Sequence, residues 1–311
     1  MTALHNRLAS IVGPDRVSAD APLAAMTTFR VGGPADWLVE TRTPEELNAV
    51  IALARREAVP VTVLGGGSNL LIADAGVRGI VLRPRGGDVS QVAEDCVRAD
   101  TAVTINGLVR WTVSHGLAGL ESWAGTPGTV GGAIYGNAHF QGRMVGDLVT
   151  RVGAVAPDGA MIELGAEQME FGYDRSRLQR SREILLWAEF RVSAGDPAHL
   201  RRLARESLAY RKQTQPLHVP SAGCIFQNPD PVLDRLPDGV PPSAGALIDH
   251  AGLKGRRIGG AQVSPLHGNF IVNDQGARAA DIRALIDECH STVFRQFGVH
   301  LKEEIVSIGV F

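Results

Sequence analysis

The chain has 311 residues, 44% of them apolar and 21% charged, with a formal net charge of −2. Its length exceeds the usual single-domain span of about 100–200 residues, and its balance excludes wholesale disorder and any basic tract for non-specific binding to nucleic acid or an anionic membrane. Its 36 glycines are well above the average of about 7%, and their clustering marks backbone turned tightly or pressed against a ligand. Cys96, Cys224 and Cys289 form an odd, widely spaced set without a C-x-x-C pair, so neither a disulfide framework nor a metal site is read. The N-terminus lacks the charged start and apolar core of a signal peptide. No apolar run reaches the ~18–20 residues of a membrane span. A soluble, cytoplasmic protein is expected, and nothing in the sequence sets its oligomeric state.

Residues 35–41 have strand character. Thr43-Pro44-Glu45-Glu46 then opens a helix, with Thr43 as N-cap, Pro44 in the first turn and acids at the positive end of the dipole. Leu47, Val50, Ile51, Leu53 and Ala54 continue it as an apolar stripe. A second strand over 60–64 runs directly into Gly65-Gly66-Gly67-Ser68-Asn69, giving a small α/β unit whose ligand edge lies at the strand's C-terminal end. Residues 79–83 add a strand. From about 89 to 195 a second region holds a helix near 104–115, a glycine-rich stretch over 125–142, strands flanking a Pro157-Asp158-Gly159 turn, and a buried strand over 184–192. A helix over 197–212 leads into a third region. Its clearest helix, 279–297, carries Ile282, Leu285, Ile286, Cys289, Val293 and Phe297 on one face, which makes Cys289 packing rather than chemistry. An alternating strand over 300–308 closes the chain and is expected to return to an earlier sheet.

Two loops carry the functional signal. In the first, successive N–H groups of Gly65 to Asn69 form a concave anion site, with Ser68 and Asn69 as added donors. It matches neither the P-loop nor the G-x-G-x-x-G fingerprint, and a tight strand connection explains it equally well. The second runs from Trp123 to Asn137 with five glycines, a proline and almost no charge. A linker would not carry Val, Ile, Trp and Tyr. The segment suits backbone laid against a flavin and its pyrophosphate; a turn-rich core segment is the alternative.

Seven stretches occur in order: Thr27-Thr-Phe-Arg-Val-Gly-Gly33, Gly65 to Leu71, Gly125 to Asn137, Ser221-Ala-Gly-Cys-Ile-Phe-Gln-Asn-Pro229, Gly245-Ala-Leu-Ile-Asp249, Gly259-Gly-Ala-Gln-Val263 with His267-Gly-Asn-Phe-Ile-Val-Asn273, and Leu301-Lys-Glu-Glu-Ile305. Together they resemble the UDP-N-acetylenolpyruvoylglucosamine reductase family, in its shorter second type. The resemblance implies an α+β fold: a vanillyl-alcohol-oxidase-like FAD-binding region in two α/β subdomains (1–84 and 85–195) and a smaller α/β substrate-binding domain (196–299), with 300–311 returning to the first. It implies FAD held by Gly65, Gly66, Gly67, Ser68, Asn69, Gly125, Thr126, Pro127, Gly128, Gly131 and Gly132. NADPH would be the reductant and UDP-N-acetylglucosamine enolpyruvate, a nucleotide sugar in peptidoglycan precursor synthesis, the substrate.

By the same resemblance, hydride passes from the flavin to the vinyl carbon and a proton to its neighbour. The family's serine donor position holds Cys224, and a thiol, with pKa about 8.5, remains a reasonable acid. Glu304 falls on the catalytic glutamate. The enolate-stabilising arginine of F-x-Y-R-x-S is displaced: Phe171-Gly-Tyr-Asp-Arg-Ser176 puts Asp174 in its slot, leaving Arg175, with Arg177 as fallback. Asn228, Lys254 and His267 match substrate contacts, and Tyr210 and Arg211 are candidates for the diphosphate. Two rival readings stay open: another FAD-linked oxidoreductase of the same fold acting on a hydroxy acid or alcohol, and a non-catalytic nucleotide-binding module.

Overall fold

The computed structural model describes residues 3–232, 234 and 236–311. The fold is α+β and divides into two compact units: one built from the chain up to Ala19 with Trp37–Gly66 and Gly79–Tyr210, the other from Asp20–Asp36, Gly67–Arg78 and Arg211–Phe311. Each unit is therefore discontinuous in the chain.

In the first unit, the helix Pro44–Arg56 begins as its sequence dictates: the Thr43 hydroxyl accepts from the Glu46 N–H at 3.2 Å. Its Leu47, Val50, Ile51, Leu53 and Ala54 are buried against Leu8 and Val12 of the helix Ala3–Val12 and against Val39, Ile80 and Leu82. The sheet beneath has the order Val17–Pro22, Pro34–Thr41, Val77–Pro84, Val61–Val63, and its last two strands are parallel. A second, antiparallel sheet orders Met161–Gly165, Val149–Val155, Ile184–Arg191, Cys96–Asp100 and Val89–Ala93. The Pro157-Asp158-Gly159 turn joins its outer hairpin, where the Asp158 carboxylate accepts from the Ala160 N–H. One face of this sheet buries Val97, Val152, Ala188 and Phe190 against the helices Ile105–Ser114 and Val130–Tyr135. On the sheet itself Arg98 and Arg151 both bond to the Glu189 carboxylate, and Arg98 stacks on Trp187.

The helix Val130–Tyr135 lies inside what the sequence presents as a glycine-rich loop. Thr129 caps it by accepting from the Gly132 N–H, and Val130, Ala133 and Ile134 face the core. Two glycines in six residues hide this apolar spacing, because glycine disfavours helix unless packing compensates.

In the second unit, the helix Ala279–Phe297 buries Ile282, Leu285, Ile286, Cys289 and Val293. The Asp74 carboxylate caps its start by accepting from the N–H groups of Ala279 and Ala280. Cys289 is 1% exposed, and burial pushes its thiol up to about 12, which fits a packing role. The helix packs on Phe29, Leu71, Ile225, Phe226 and the short antiparallel strands Ala261–Val263 and Ile271–Asn273. The last strand, Val306–Ile308, pairs in parallel with Leu70–Ile72. It is shorter than the expected 300–308 strand. The stretch before it pairs elsewhere, Glu303 forming an isolated bridge to Phe226.

Candidate active site

In the first unit the two glycine loops touch one another. A Cβ on Gly65 would stand 2.7 Å from the Thr129 Oγ1, one on Gly66 would stand 2.6 Å from the Gly128 Cα, and one on Gly131 would stand 2.2 Å from the Thr101 Oγ1. Gly125 and Gly128 adopt φ of 84° and 103°, which L side chains rarely take. The Asn106 side chain braces the turn, accepting from the Gly125 N–H at 2.7 Å and donating to the Thr126 carbonyl. Pro127 and Gly132 are exposed and Thr126 half-buried. Among the described residues, no protein acceptor takes the backbone N–H groups of Gly65, Gly66, Gly128 or Thr129. Side-chain-poor backbone with N–H groups left to donate is what a pyrophosphate needs, so these residues fit FAD. Gly66→Ala is expected to push the loops apart at about 1–3 kcal/mol. Its measure is the FAD-to-protein ratio of the purified variant, which should fall well below that of the parent; a full complement would show that the loop contact does not shape the cradle.

The remaining members of the first loop belong to the second unit. A Cβ on Gly67 would come within 2.1 Å of the Met26 carbonyl, and the Gly67 carbonyl accepts from the Thr28 N–H. Ser68 is half-buried. Asn69 donates its amide to the Glu304 carbonyl at 2.9 Å, while its own carbonyl accepts from the Val306 N–H at 3.0 Å.

Cys224 lies close by. The Glu304 N–H donates to the carbonyl of Ile225, the residue after Cys224, at 2.8 Å, and the Gln227 N–H donates to Lys302. Across the segment, Cys224 bridges Phe270, and the Asn269 side chain accepts from the Phe226 N–H and donates to the Phe226 carbonyl. Thiol and carboxylate are thus carried by adjoining backbone of one unit. Arg211, in the last turn of the helix Pro197–Thr214, is 6% exposed. Burial pulls its guanidinium down to about 10, with electrostatic attraction to Cys224 acting in the opposite sense.

Glu303 engages His290 and both terminal nitrogens of Arg283, the latter at 2.8 and 2.9 Å. Hydrogen bonding from His290, then Arg283, holds its carboxyl at about 2. A depressed carboxylate pKa stabilises the fold above the ordinary value of 4.5, and that contribution is lost as pH falls toward 2. Glu303→Gln should accordingly lose about 1–3 kcal/mol at neutral pH. Denaturant unfolding at a series of pH values should show the difference from the parent shrinking below about pH 4; a constant difference would contradict it.

Asn228 accepts from the Ala244 N–H at the start of the helix Ala244–His250. Lys254 pairs with Asp249 at 2.5 Å. Burial and then Lys254 lower the His267 pKa, and its Nδ1 accepts from the Asn269 N–H. In the first unit Tyr210 is exposed with its ring edge-on to Phe140. Gly172 and Arg175 close a tight turn by reciprocal backbone bonds, and the exposed Arg175 guanidinium lies beside Gly172. Arg177 is held by Glu183 at 3.0–3.2 Å. The sequence reading did not single out Asn106, Asn269 or Arg283. Asn269 lies within the His267-to-Asn273 stretch; the other two carry no local signal.

Side-chain-poor glycine loops with N–H groups left to donate, in the first unit, and a thiol and a carboxylate on adjoining backbone of the second, are features of the class of flavin-dependent oxidoreductases. An FAD binding domain family model matches residues 35–165, and the UDP-N-acetylenolpyruvoylglucosamine reductase C-terminal domain model matches 215–308. The chain is 42% identical over 294 residues to UDP-N-acetylenolpyruvoylglucosamine reductase of Synechococcus sp. strain WH7803, covering 93% of this chain and 92% of that one. It is 40% identical over 308 residues to UDP-N-acetylenolpyruvoylglucosamine reductase 2 of Symbiobacterium thermophilum, covering 98% and 96%. The crystal structure of the Thermus caldophilus UDP-N-acetylenolpyruvylglucosamine reductase superposes with a TM-score of 0.77 at 33% identity, covering 94% of this chain and 98% of that one. The chain belongs to the UDP-N-acetylenolpyruvoylglucosamine reductase family.

Proposed function

We propose that the chain reduces UDP-N-acetylglucosamine enolpyruvate to UDP-N-acetylmuramate, with NADPH as reductant and FAD as carrier, in peptidoglycan precursor synthesis. The observation that supports the reading is the bond from the Glu304 N–H to the carbonyl of Ile225, which joins the backbone at Glu304 to the segment that carries Cys224. FAD, when bound, supplies a hydride for the vinyl carbon. Gly65, Gly66, Gly125, Thr126, Pro127, Gly128, Gly131 and Gly132, with Gly67, Ser68 and Asn69, would hold it.

The chain supplies the rest. Cys224 gives its proton to the adjacent carbon as that carbon becomes basic, and so ends as a thiolate. The Arg211 guanidinium, which Cys224 attracts electrostatically, offsets the new charge. Glu304 binds or polarises the enol intermediate near the reacting carbons. Asn228, Lys254 and His267 bind the substrate, and Tyr210 reaches the diphosphate. Solvent then reprotonates Cys224.

No helix among the described residues is long and apolar enough to cross a membrane. The reading extends to a cytoplasmic enzyme acting on a small nucleotide sugar, with neither nucleic acid nor membrane as partner. Oxidation of NADPH should depend on the enolpyruvyl nucleotide sugar. Equal oxidation with a hydroxy acid or alcohol, or a protein that binds the nucleotide without turnover, would replace this reading with one of its rivals.

A further inference from the structure

Adding hydride to the vinyl carbon leaves negative charge on the carboxylate-bearing side of the substrate, and a fixed cation lowers the cost of that charge. The arginines suggested by the sequence are poorly disposed for this work. Arg177 is committed to the buried Glu183, and Arg175 points its guanidinium along Gly172 at the surface.

The buried charge in this segment is the residue between Tyr173 and Arg175. Asp174 takes a left-handed φ of 50°, which turns its side chain inward to 7% exposure. Its Oδ1 lies 3.0 Å from the His139 Nδ1. Its Oδ2 is buried and has no hydrogen-bond partner among the described residues. A carboxylate so enclosed is favoured by a cation at hydrogen-bond distance. The imidazole that meets it is only partly exposed, with the Tyr173 ring 4.7 Å away.

His139 follows the flavin loop by two residues, and the pair is braced onto that loop. Asn137, the last residue of the loop, donates to the Gly172 carbonyl at 2.8 Å and accepts from the Gly146 N–H. The Ser176 hydroxyl donates to the Tyr135 carbonyl at 2.7 Å. These bonds tie the Gly172-to-Arg175 turn to the end of the glycine loop, so a charge on His139 is fixed relative to the cofactor cradle.

We propose that the imidazolium of His139, held by Asp174 at the end of the flavin loop, is the cation that stabilises the charge developing on the substrate. A histidine–aspartate pair thereby takes the work for which the sequence pointed to an arginine. The inference rests on the enolpyruvyl reductase reading above.

The test follows the two half-reactions of the FAD-loaded enzyme by flavin absorbance: reduction by NADPH, then reoxidation by the enolpyruvyl nucleotide sugar. His139→Gln and Asp174→Asn should each slow reoxidation about 100-fold. Reduction by NADPH, FAD content and melting temperature should stay near the parent's. His139→Arg brings a permanent charge to the same carboxylate and should stay within about 10-fold of the parent, a rescue that a packing role would not produce. Parent-like reoxidation by His139→Gln overturns the proposal, as do equal losses in the Gln and Arg variants accompanied by a fall in melting temperature. If the parent's reduced flavin is not reoxidised by the nucleotide sugar at all, the functional reading itself fails, and this inference with it.

Discussion

Cys224→Ala is expected to lower turnover of the enolpyruvyl substrate about 10²–10⁴-fold, the usual worth of a positioned general acid. Reduction of the flavin by NADPH should be unaffected, because that step draws no proton from Cys224. The backbone around Cys224 is fixed by Ile225, Phe226 and Gln227 through their own amides, so removing the sulfur leaves the segment in place. Loss of turnover can then be assigned to chemistry rather than to folding. Cys224→Ser should retain activity, since a hydroxyl offers a proton from the same Cβ. An alanine variant that turns over normally would remove Cys224 from the mechanism, and an inactive serine variant would break the parallel with the family's serine.

Glu304→Gln should cost about 10²–10³-fold in kcat, on the scale of losing one group that stabilises charge or orientation in a transition state. The protein anchors this residue by its backbone: the N–H to Ile225 and the carbonyl to the Asn69 amide. An amide side chain leaves both anchors intact, and the Arg283 pair on neighbouring Glu303 is equally untouched. Melting temperature and FAD content should match the parent. Glu303→Gln gives the contrast, with reduced stability and little direct effect on the chemical step. Should Glu304→Gln turn over at the parent rate, the carboxylate is a bystander.

The two adjacent glutamates are anchored in different ways. Glu303 is drawn to the helix Ala279–Phe297 by Arg283 and His290. Glu304 is held instead through main-chain bonds to segments that arrive from residues 69 and 225. No spacing rule along the chain announces that division.

Local signals in the sequence were sufficient for the regular elements. The cap at Thr43, the apolar stripe from Leu47 to Ala54, the Pro157-Asp158-Gly159 turn and the long helix ending at Phe297 all lie where periodicity and turn chemistry put them. Each depends on neighbours a few residues apart, so a single sequence contains the information. The ordered motifs likewise pointed to the family, and two of them meet at the close approach of Gly66 to Gly128.

What only the tertiary structure decided is long-range. The helix Val130–Tyr135 exists because Thr129 caps it and the sheet buries its apolar side, both against the low propensity of its glycines. The second unit is assembled from stretches separated by more than a hundred residues, through pairings such as Leu70–Ile72 with Val306–Ile308. The charges were allotted in the same way: Arg177 to Glu183, Arg211 to electrostatic attraction with Cys224, His139 to Asp174. A side chain's partner depends on where distant backbone brings it and on how much water remains there, and neither is written in the spacing of residues along the chain.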